Sequence, residues 1–187
     1  MKKKTIILIA IIAVVVIIAG SFISTYNGLN TLRSEVEESQ AKISTQLQRR
    51  STLIPNLVET VKGYAAHETE VFTALADARS KLNSASTPSE QAAANDEFNS
   101  AISRLLVVVE QYPTLKADTS FIRLQDQLEG TENRIATARN DYNEDVKTFN
   151  TKIRSFPTNI LAGMFGFSEF EYFEASENAN QVPNVNF

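Results

Sequence analysis

The sequence predicts an all-α fold: an N-terminal transmembrane helix followed by a long antiparallel, up-and-down bundle of about four helices. An uncharged apolar run occupies residues 5–23, and apolar side chains recur every three or four residues through most of the remaining chain. Nowhere do apolar and polar residues alternate strictly, as they do in a half-buried strand. We divide the chain into an anchor (1–24), a helical bundle (25–157), an apolar aromatic segment (158–173) and a flexible C-terminal tail (174–187).

Residues 5–23 are long enough to cross a bilayer as a helix. They are dominated by Ile, Val, Leu and Ala, and at 1.5 Å per residue they span about 28 Å, close to the thickness of bilayer hydrocarbon. The alternative is a cleaved signal peptide, because Lys2–Lys4 precede the run and Ala19-Gly20-Ser21 offers small residues to a peptidase. The apolar core of a signal peptide usually has about 7–15 residues. The length therefore favours a retained anchor in contact with membrane lipid.

The basic residues that flank the anchor predict its orientation. Lys2–Lys4 precede it, whereas the region that follows carries Arg33 and Lys42. Basic residues concentrate on the cytoplasmic side of membrane helices. We therefore expect a single-pass protein of the bacterial inner (cytoplasmic) membrane, with a cytoplasmic N-terminus and a periplasmic or extracellular bundle.

Composition excludes several classes of function. The chain has no Cys, which removes disulfides, thiolate nucleophiles and Cys-based metal sites. Three of the 18 basic side chains precede the anchor, so 15 basic side chains oppose all 22 acidic ones in the remainder. A net-acidic body argues against binding nucleic acid through its phosphates.

The first apolar stripes place a stalk and a second helix. The membrane helix is predicted to continue to about Arg50. Pro55 then interrupts the pattern, and we expect a break there, with a second helix running from near Leu53 to Leu82. The alternative is one long helix that kinks at the proline.

Two later helices have recognisable starts. Residues 87–90 read Thr-Pro-Ser-Glu, which combines a capping threonine, a proline at the first helical position and a glutamate three residues past the cap. They predict a third helix that stops at Pro113. Asp118 is the predicted cap of a fourth, whose apolar stripe runs over residues 121–156. Stripes this narrow are packing seams of the coiled-coil type, so the helices must bury them against one another.

Polar residues interrupt the seams. Glu68, Asn95, Thr131 and Asp145 fall at or near seam positions, where polar groups usually fix register or helix pairing. The Asn, Asp and Glu residues within 140–145 could alternatively form a ligand cluster. On a helix they point around the circumference, so we predict a solvated face.

The apolar aromatic segment is the predicted interaction surface. The fourth helix, at about 57 Å, is about 20 Å longer than the third, and in four alternating helices this excess points back to the membrane. The bilayer interface, the base of the bundle and a neighbouring subunit are the three places where the segment could pack. The predicted interaction residues are Ile160, Leu161, Met164, Phe165, Phe167, Phe170, Tyr172, Phe173 and, at the end of the tail, Phe187.

Several long stretches match a known sequence pattern. Residues 53–65 read Leu-Ile-Pro-Asn-Leu-Val-Glu-Thr-Val-Lys-Gly-Tyr-Ala, residues 131–135 read Thr-Glu-Asn-Arg-Ile and residues 162–167 read Ala-Gly-Met-Phe-Gly-Phe. These stretches resemble the LemA family of bacterial membrane proteins. The resemblance implies one N-terminal membrane helix followed by a helical bundle, and it brings no established enzymatic activity.

No sequence pattern predicts an active site. His67 is the single histidine, so the paired histidines of di-iron bundles and zinc proteases are missing; we expect it to be solvated or hydrogen-bonded. Gly-rich phosphate loops and Ser or Thr nucleophiles with a nearby base are also missing. We therefore expect no enzymatic activity, metal, cofactor or small-molecule substrate.

Two functional hypotheses remain. The first is a scaffold or assembly factor of the bacterial envelope that acts as a homo-oligomer and contacts an envelope protein partner. The alternative is an adaptor that presents its tail (174–187) to a membrane protease or another receptor, which would bind the carboxylate of Phe187.

Overall fold

The computed structural model describes residues 3–174, and over that range the chain forms six helices and no strand. This confirms the all-α prediction. The chain divides into two compact units, the first built from Met1–Glu38 with Glu144–Glu171 and the second from Ser39–Asn143 with Tyr172–Phe187. The helices are α1 (Lys3–Lys62), α2 (Thr69–Ser84), α3 (Pro88–Val109), α4 (Pro113–Lys116), α5 (Thr119–Arg154) and α6 (Thr158–Phe165).

Helix α1 runs without interruption through Pro55, so the break predicted there is wrong. A proline inside a helix costs roughly 3 kcal/mol. Ile54, Leu57 and Val61 are all buried on the same helix, and burial of each large apolar side chain contributes about 1.5–3 kcal/mol. Packing on both sides of the proline therefore outweighs its cost.

The first helix instead ends at Lys62, and residues 63–68 form the turn that leads into α2. Gly63, a weak helix former, is the first residue of this turn. Glu68 occupies the N-cap position of α2, and its side chain makes no capping hydrogen bond. The polar interruption in the apolar stripe therefore marks the start of a new helix. The second helix predicted from near Leu53 to Leu82 is therefore divided here, and Phe72 is buried in the first turn of α2.

The two predicted helix starts are confirmed. The Thr87 hydroxyl accepts a hydrogen bond from the Glu90 backbone N–H at 3.2 Å, and the Glu90 carboxylate accepts one from the Thr87 N–H at 3.1 Å. The Asp118 carboxylate accepts hydrogen bonds from the N–H groups of Ser120 and Phe121 at the start of α5. Both caps satisfy backbone donors that the first helical turn leaves without partners.

Cross-helix contacts show that the helices of the second unit alternate in direction. The Tyr64 hydroxyl, just after α1, donates to Asp118 at the start of α5. Arg50, earlier along α1, donates to Glu132, which comes later along α5. Arg79 of α2 donates to Ser51 at 3.3 Å, and the Lys62 ammonium lies 5.7 Å from the centre of the Phe72 ring. Helices α2 and α5 are therefore antiparallel to α1.

Helix α3 runs parallel to α1. Gln91 donates to the Ser44 hydroxyl at 3.4 Å, and further along both helices Arg50 donates to Asn95 at 2.7 Å. With α2 and α5 antiparallel to α1, these contacts give the up-and-down, four-helix arrangement that the sequence predicts.

The first unit carries the membrane span. Residues 5–23 belong to α1, which is long and apolar enough to cross a membrane, and the most apolar part of that helix is entirely unburied by protein. Beyond the span, apolar side chains of α1 and α5 form the buried interior of this unit: Leu29, Val36, Val146, Phe149 and Ile153.

Candidate functional site

A buried cluster of charged and amide side chains lies inside the second unit. Arg50 of α1 is 4% exposed. Its Nη1 donates to Asn95 Oδ1 at 2.7 Å and its Nη2 donates to Asn99 Oδ1 at 2.6 Å. Nη1 also donates to the carboxylate of Glu132 on α5. One guanidinium thus joins α1, α3 and α5.

The two asparagines bridge the opposite charges. Each accepts from Arg50 through its amide oxygen and donates through Nδ2 to Glu132 Oε1, at 3.5 Å from Asn95 and 3.4 Å from Asn99. The Arg50 guanidinium also lies over the Phe98 ring, 4.8 Å from its centre, where the negative face of the ring favours a cation. We call these five residues the Arg50 cluster.

Burial decides the electrostatics of the cluster. Burial lowers the pKa of the Arg50 guanidinium. The Glu132 carboxylate raises this pKa, and nearby Arg139 lowers it. Burial likewise lowers the pKa of Arg139, against the raising effect of Glu132 and Asp96. Arginine remains protonated under physiological conditions, so Glu132, about one-third exposed, is the carboxylate that raises the pKa of both largely buried cations, and Asp96 raises the pKa of Arg139 alone.

Sequence reasoning identifies part of this cluster. Asn95, 0% exposed, is predicted to fix register at a seam position, but Arg50, Asn99 and Glu132 were missed. One signal was present: Leu29, Val36, Ile43, Arg50 and Leu57 follow one another at intervals of seven residues. A single arginine in an apolar heptad stripe predicts a buried charge that needs partners.

A cavity of about 280 Å³ adjoins the cluster in the second unit. Arg50 and Glu132 contribute to its lining, and the other lining side chains are mainly apolar. Those are Leu57, Ile102, Leu105, Leu106, Phe121, Gln125, Leu128 and Glu129. The lining of the cavity is therefore mainly apolar, with the Arg50–Glu132 pair and Glu129 as its charged side chains.

The aromatic segment begins in the first unit, where the structure divides it into buried and exposed side chains. Leu161 and Ala162 of α6 are buried. Ile160, Met164 and Phe165 are exposed, by 55%, 69% and 42% respectively. Of the predicted interaction residues on α6, three therefore offer free surface and Leu161 stabilises the unit itself.

Aromatic rings hold the end of α6 and the residues that follow it. The Tyr26 ring lies 4.9 Å from the Phe165 ring and 6.0 Å from the Phe167 ring, centre to centre. Phe149 of α5 lies 6.2 Å from Phe167 and 5.1 Å from Phe170. Phe167 and Phe170 are consequently half-buried rather than free for a partner.

Asn150 fixes the backbone at Phe170. Its Nδ2 donates to the Phe170 carbonyl at 2.9 Å, and its Oδ1 accepts from the Phe170 N–H at 3.0 Å. Asn150 is 2% exposed. Residues 167–174 form no helix or strand. The Asn150 amide therefore satisfies the two backbone groups of Phe170 that would otherwise need a neighbouring strand.

Asn143 makes the same pair of bonds with Phe173 in the second unit. Asn143 Nδ2 donates to the Phe173 carbonyl, and the Phe173 N–H donates to Asn143 Oδ1, each at 2.9 Å. The Phe173 ring is buried against Tyr142 at 5.1 Å and lies 5.4 Å from the Arg139 guanidinium. Phe173, predicted as an interaction residue, therefore packs internally, whereas Tyr172 is 40% exposed.

The assignment of residues 140–145 to a solvated face is wrong for Asn143, and Asn150 was missed altogether. The signal that could have found them is a repeat. Tyr142-Asn143 and Phe149-Asn150 place an aromatic residue and an asparagine at the same two positions of successive heptads. That pattern predicts two equivalent sites on one helix face that each hold a backbone segment.

Replacing Asn150 with leucine should lower the free energy of unfolding by about 2 kcal/mol. The change removes two hydrogen bonds and leaves the Phe170 N–H and carbonyl without partners. Chemical denaturation of the full-length chain in detergent measures the effect. Asn140→Leu is the control, because Asn140 is exposed on the same helix and should change stability by less than about 0.5 kcal/mol. Equal effects of the two changes would contradict the role of Asn150.

Over residues 3–174, no group of three or more His, Asp or Glu side chains is placed to hold a metal ion. His67 is exposed in the turn between α1 and α2. Phe187 and the tail from residue 175 onward lie outside the described residues, so the adaptor role of the tail stays a prediction.

Comparisons with known proteins agree on one family. A family model described as LemA family matches residues 39–187. The chain is 29% identical over 192 residues to magnetosome protein MamQ 1 of Paramagnetospirillum magneticum, covering 89% of this chain and 70% of the relative. It is 27% identical to MamQ of Magnetospirillum gryphiswaldense, covering 87% and 71%. It is 26% identical over 160 residues to protein LemA of Metamycoplasma hominis, covering 83% and 72%.

Proposed function

Since the chain belongs to the LemA family and is a membrane protein with a helical bundle, we propose that it is a non-enzymatic scaffold or assembly factor of the bacterial envelope. It acts through self-association and through contacts with other envelope proteins. Its three N-terminal lysines favour insertion in the inner membrane with a cytoplasmic N-terminus, which leaves the bundle periplasmic or extracellular.

The Arg50 cluster is the observation that carries this proposal. Its charges and amides are directed at one another across α1, α3 and α5, and Arg50 and Asn95 are buried. Buried polar groups of this kind are best known for fixing helix pairing and register. The cluster supports a second unit whose helix pairing is fixed, and α1, the helix that carries the membrane span, is one of the helices it joins.

The named relatives are consistent with a structural role. Two of the relatives above are called magnetosome proteins, a name taken from a cellular structure. By analogy with that name, we infer that this chain takes part in a cellular structure of its own cell.

Exposed apolar side chains of the second unit are where we expect protein contacts. Val107 on α3 is 66% exposed, Ile122 on α5 is 44% exposed and Tyr172 is 40% exposed. Apolar and aromatic side chains of this kind supply most of the binding energy in protein interfaces.

Cysteine cross-linking tests self-association directly, because the chain contains no Cys. Val107→Cys, Ile122→Cys and Tyr172→Cys would each be made in the full-length protein and oxidised in native membranes. We expect at least one of them to give a disulfide-linked dimer. Ser80→Cys, at an exposed polar position of α2, is the control for random collision and should stay monomeric.

Sedimentation of the detergent-extracted protein provides the second readout. The proposal predicts a mass that rises above one chain as the protein concentration increases. A single-chain mass at every concentration, together with no cross-link above the Ser80→Cys control, would refute self-association.

A further inference from the structure

The loop that contains α6 has no charged residue. Residues 155–168 include no Asp, Glu, Lys, Arg or His, and we call them the uncharged loop. Charged residues flank it at both ends, and these pair with each other: Arg154 Nε donates to Glu169 Oε1 at 2.7 Å, and the second guanidinium nitrogen bonds Oε2. This pair closes the loop at its base and, by hydrogen bonding, lowers the pKa of the Glu169 carboxyl.

The outer surface of the uncharged loop is apolar. Phe156 is 82% exposed and Met164 is 69% exposed, and Ile160 and Phe165 are exposed beside them. The opposite face of α6 is buried through Leu161 and Ala162. A short helix on a water-exposed protein surface normally presents polar or charged side chains outward, whereas α6 exposes Ile160, Met164 and Phe165, and Asn159 is its one exposed polar side chain.

The position of the loop along α1 shows what covers this outer face. Tyr26 follows Ile23, the last apolar residue of the span, by three residues, or about 4.5 Å of helix. The headgroup layer extends about 5–8 Å beyond the hydrocarbon on each side, so a span that ends at Ile23 places Tyr26 within this layer. The Phe165 ring contacts the Tyr26 ring at 4.9 Å, and this contact holds the uncharged loop at the same depth.

We propose that the uncharged loop inserts into the lipid interface of the membrane that α1 crosses. Its occupant is a phospholipid surface, because the exposed side chains of the loop are mainly apolar or aromatic and the exposed polar ones, Ser155, Asn159 and Ser168, are uncharged, so none needs a counter-ion. Tyr and Trp residues concentrate at this depth in membrane proteins, and interfacial helices that carry Phe and Leu bury their apolar face about 5–10 Å into the headgroup boundary. The loop gives the first unit a second attachment to the bilayer, beyond the span itself.

The absence of Trp from the chain makes single-tryptophan reporters clean. Met164→Trp and Ile160→Trp place a reporter on the exposed face of the loop. Ser80→Trp is the control, since Ser80 is exposed on α2 of the second unit and is the position expected to stay free of protein contacts. Each full-length variant would be reconstituted in phosphatidylcholine vesicles whose acyl chains are brominated either close to the headgroup or close to the chain end.

Insertion predicts blue-shifted emission from the Met164→Trp and Ile160→Trp variants, with several-fold stronger quenching by lipid brominated close to the headgroup than by lipid brominated close to the chain end. The control should emit as a water-exposed tryptophan, and neither brominated lipid should quench it.

Emission and quenching like those of the control would overturn the proposal. Blue-shifted but unquenched emission that depends on the protein-to-lipid ratio would also overturn it, because a second copy would then cover the face. Cross-linking at Val107, Ile122 or Tyr172 is independent of either result.

Discussion

Replacing Glu132 with leucine is expected to destabilise the protein by about 3–5 kcal/mol. Arg50 is 4% exposed, and Glu132 is the carboxylate that it bonds. Removal of one partner from a buried ion pair leaves an uncompensated charge and typically costs that much free energy. The loss should be larger than usual for a partly exposed glutamate because the Arg50 guanidinium left behind is buried, and because Asn95 and Asn99 also lose the acceptor of their amide groups.

The double change Arg50→Met with Glu132→Leu separates charge from packing. With both charges gone, the double variant should lose less stability than the Arg50→Met and Glu132→Leu variants lose in sum, by at least about 1 kcal/mol of coupling. Glu129→Leu, at an exposed position one helical turn earlier, is the control and should alter stability by less than about 0.5 kcal/mol. Denaturant unfolding of the full-length variants in detergent measures all four, and additive single effects would show that the ion pair is not coupled.

Truncating Phe98 to alanine is expected to cost about 3–5 kcal/mol. The side chain is 0% exposed, so its loss leaves a cavity in the middle of the second unit and removes the ring that faces Arg50. Phe156→Ala removes the same atoms from a side chain that is 82% exposed. The second variant should unfold at nearly the same denaturant concentration as the unmodified protein, and similar losses in the two variants would contradict the placement of Phe98.

Local chemistry explains the parts of the fold that the sequence predicted well. A capping box needs only residues within one turn of each other, so Thr87 and Glu90 identify the start of α3 without knowledge of any other helix. Asp118 marks the start of α5 for the same reason. The membrane span likewise depends on an uninterrupted apolar run rather than on tertiary contacts.

The prediction at Pro55 was wrong because the cost of a proline is local while the compensation is not. The proline removes one backbone hydrogen bond wherever it lies in a helix. Whether the helix continues depends on burial of Ile54, Leu57 and Val61 by other helices, and the sequence does not state which surfaces meet. Residues 63–68, with a glycine and a polar interruption of the stripe, were the better place for the break.

The candidate site was harder to predict than the fold. Asn95 was recognisable as a polar residue in a seam, but its partners Arg50 and Glu132 are distant in sequence and become neighbours only once the helices pair. Asn143 and Asn150 serve a segment that comes after them in the chain, so their role depends on where that segment folds back. The aromatic residue before each asparagine is the pattern that would have indicated it.

Amide hydrogen exchange of the full-length chain in lipid nanodiscs is the most direct test of the central claim, that α1 is one helix running from the membrane span into the bundle. We expect the amides of residues 56–62 to exchange as slowly as those of the buried part of α5 around Ile135, because both belong to the same packed unit. Fast exchange confined to the residues on either side of Pro55, with α5 still protected, would show that the helix breaks there and would contradict the account.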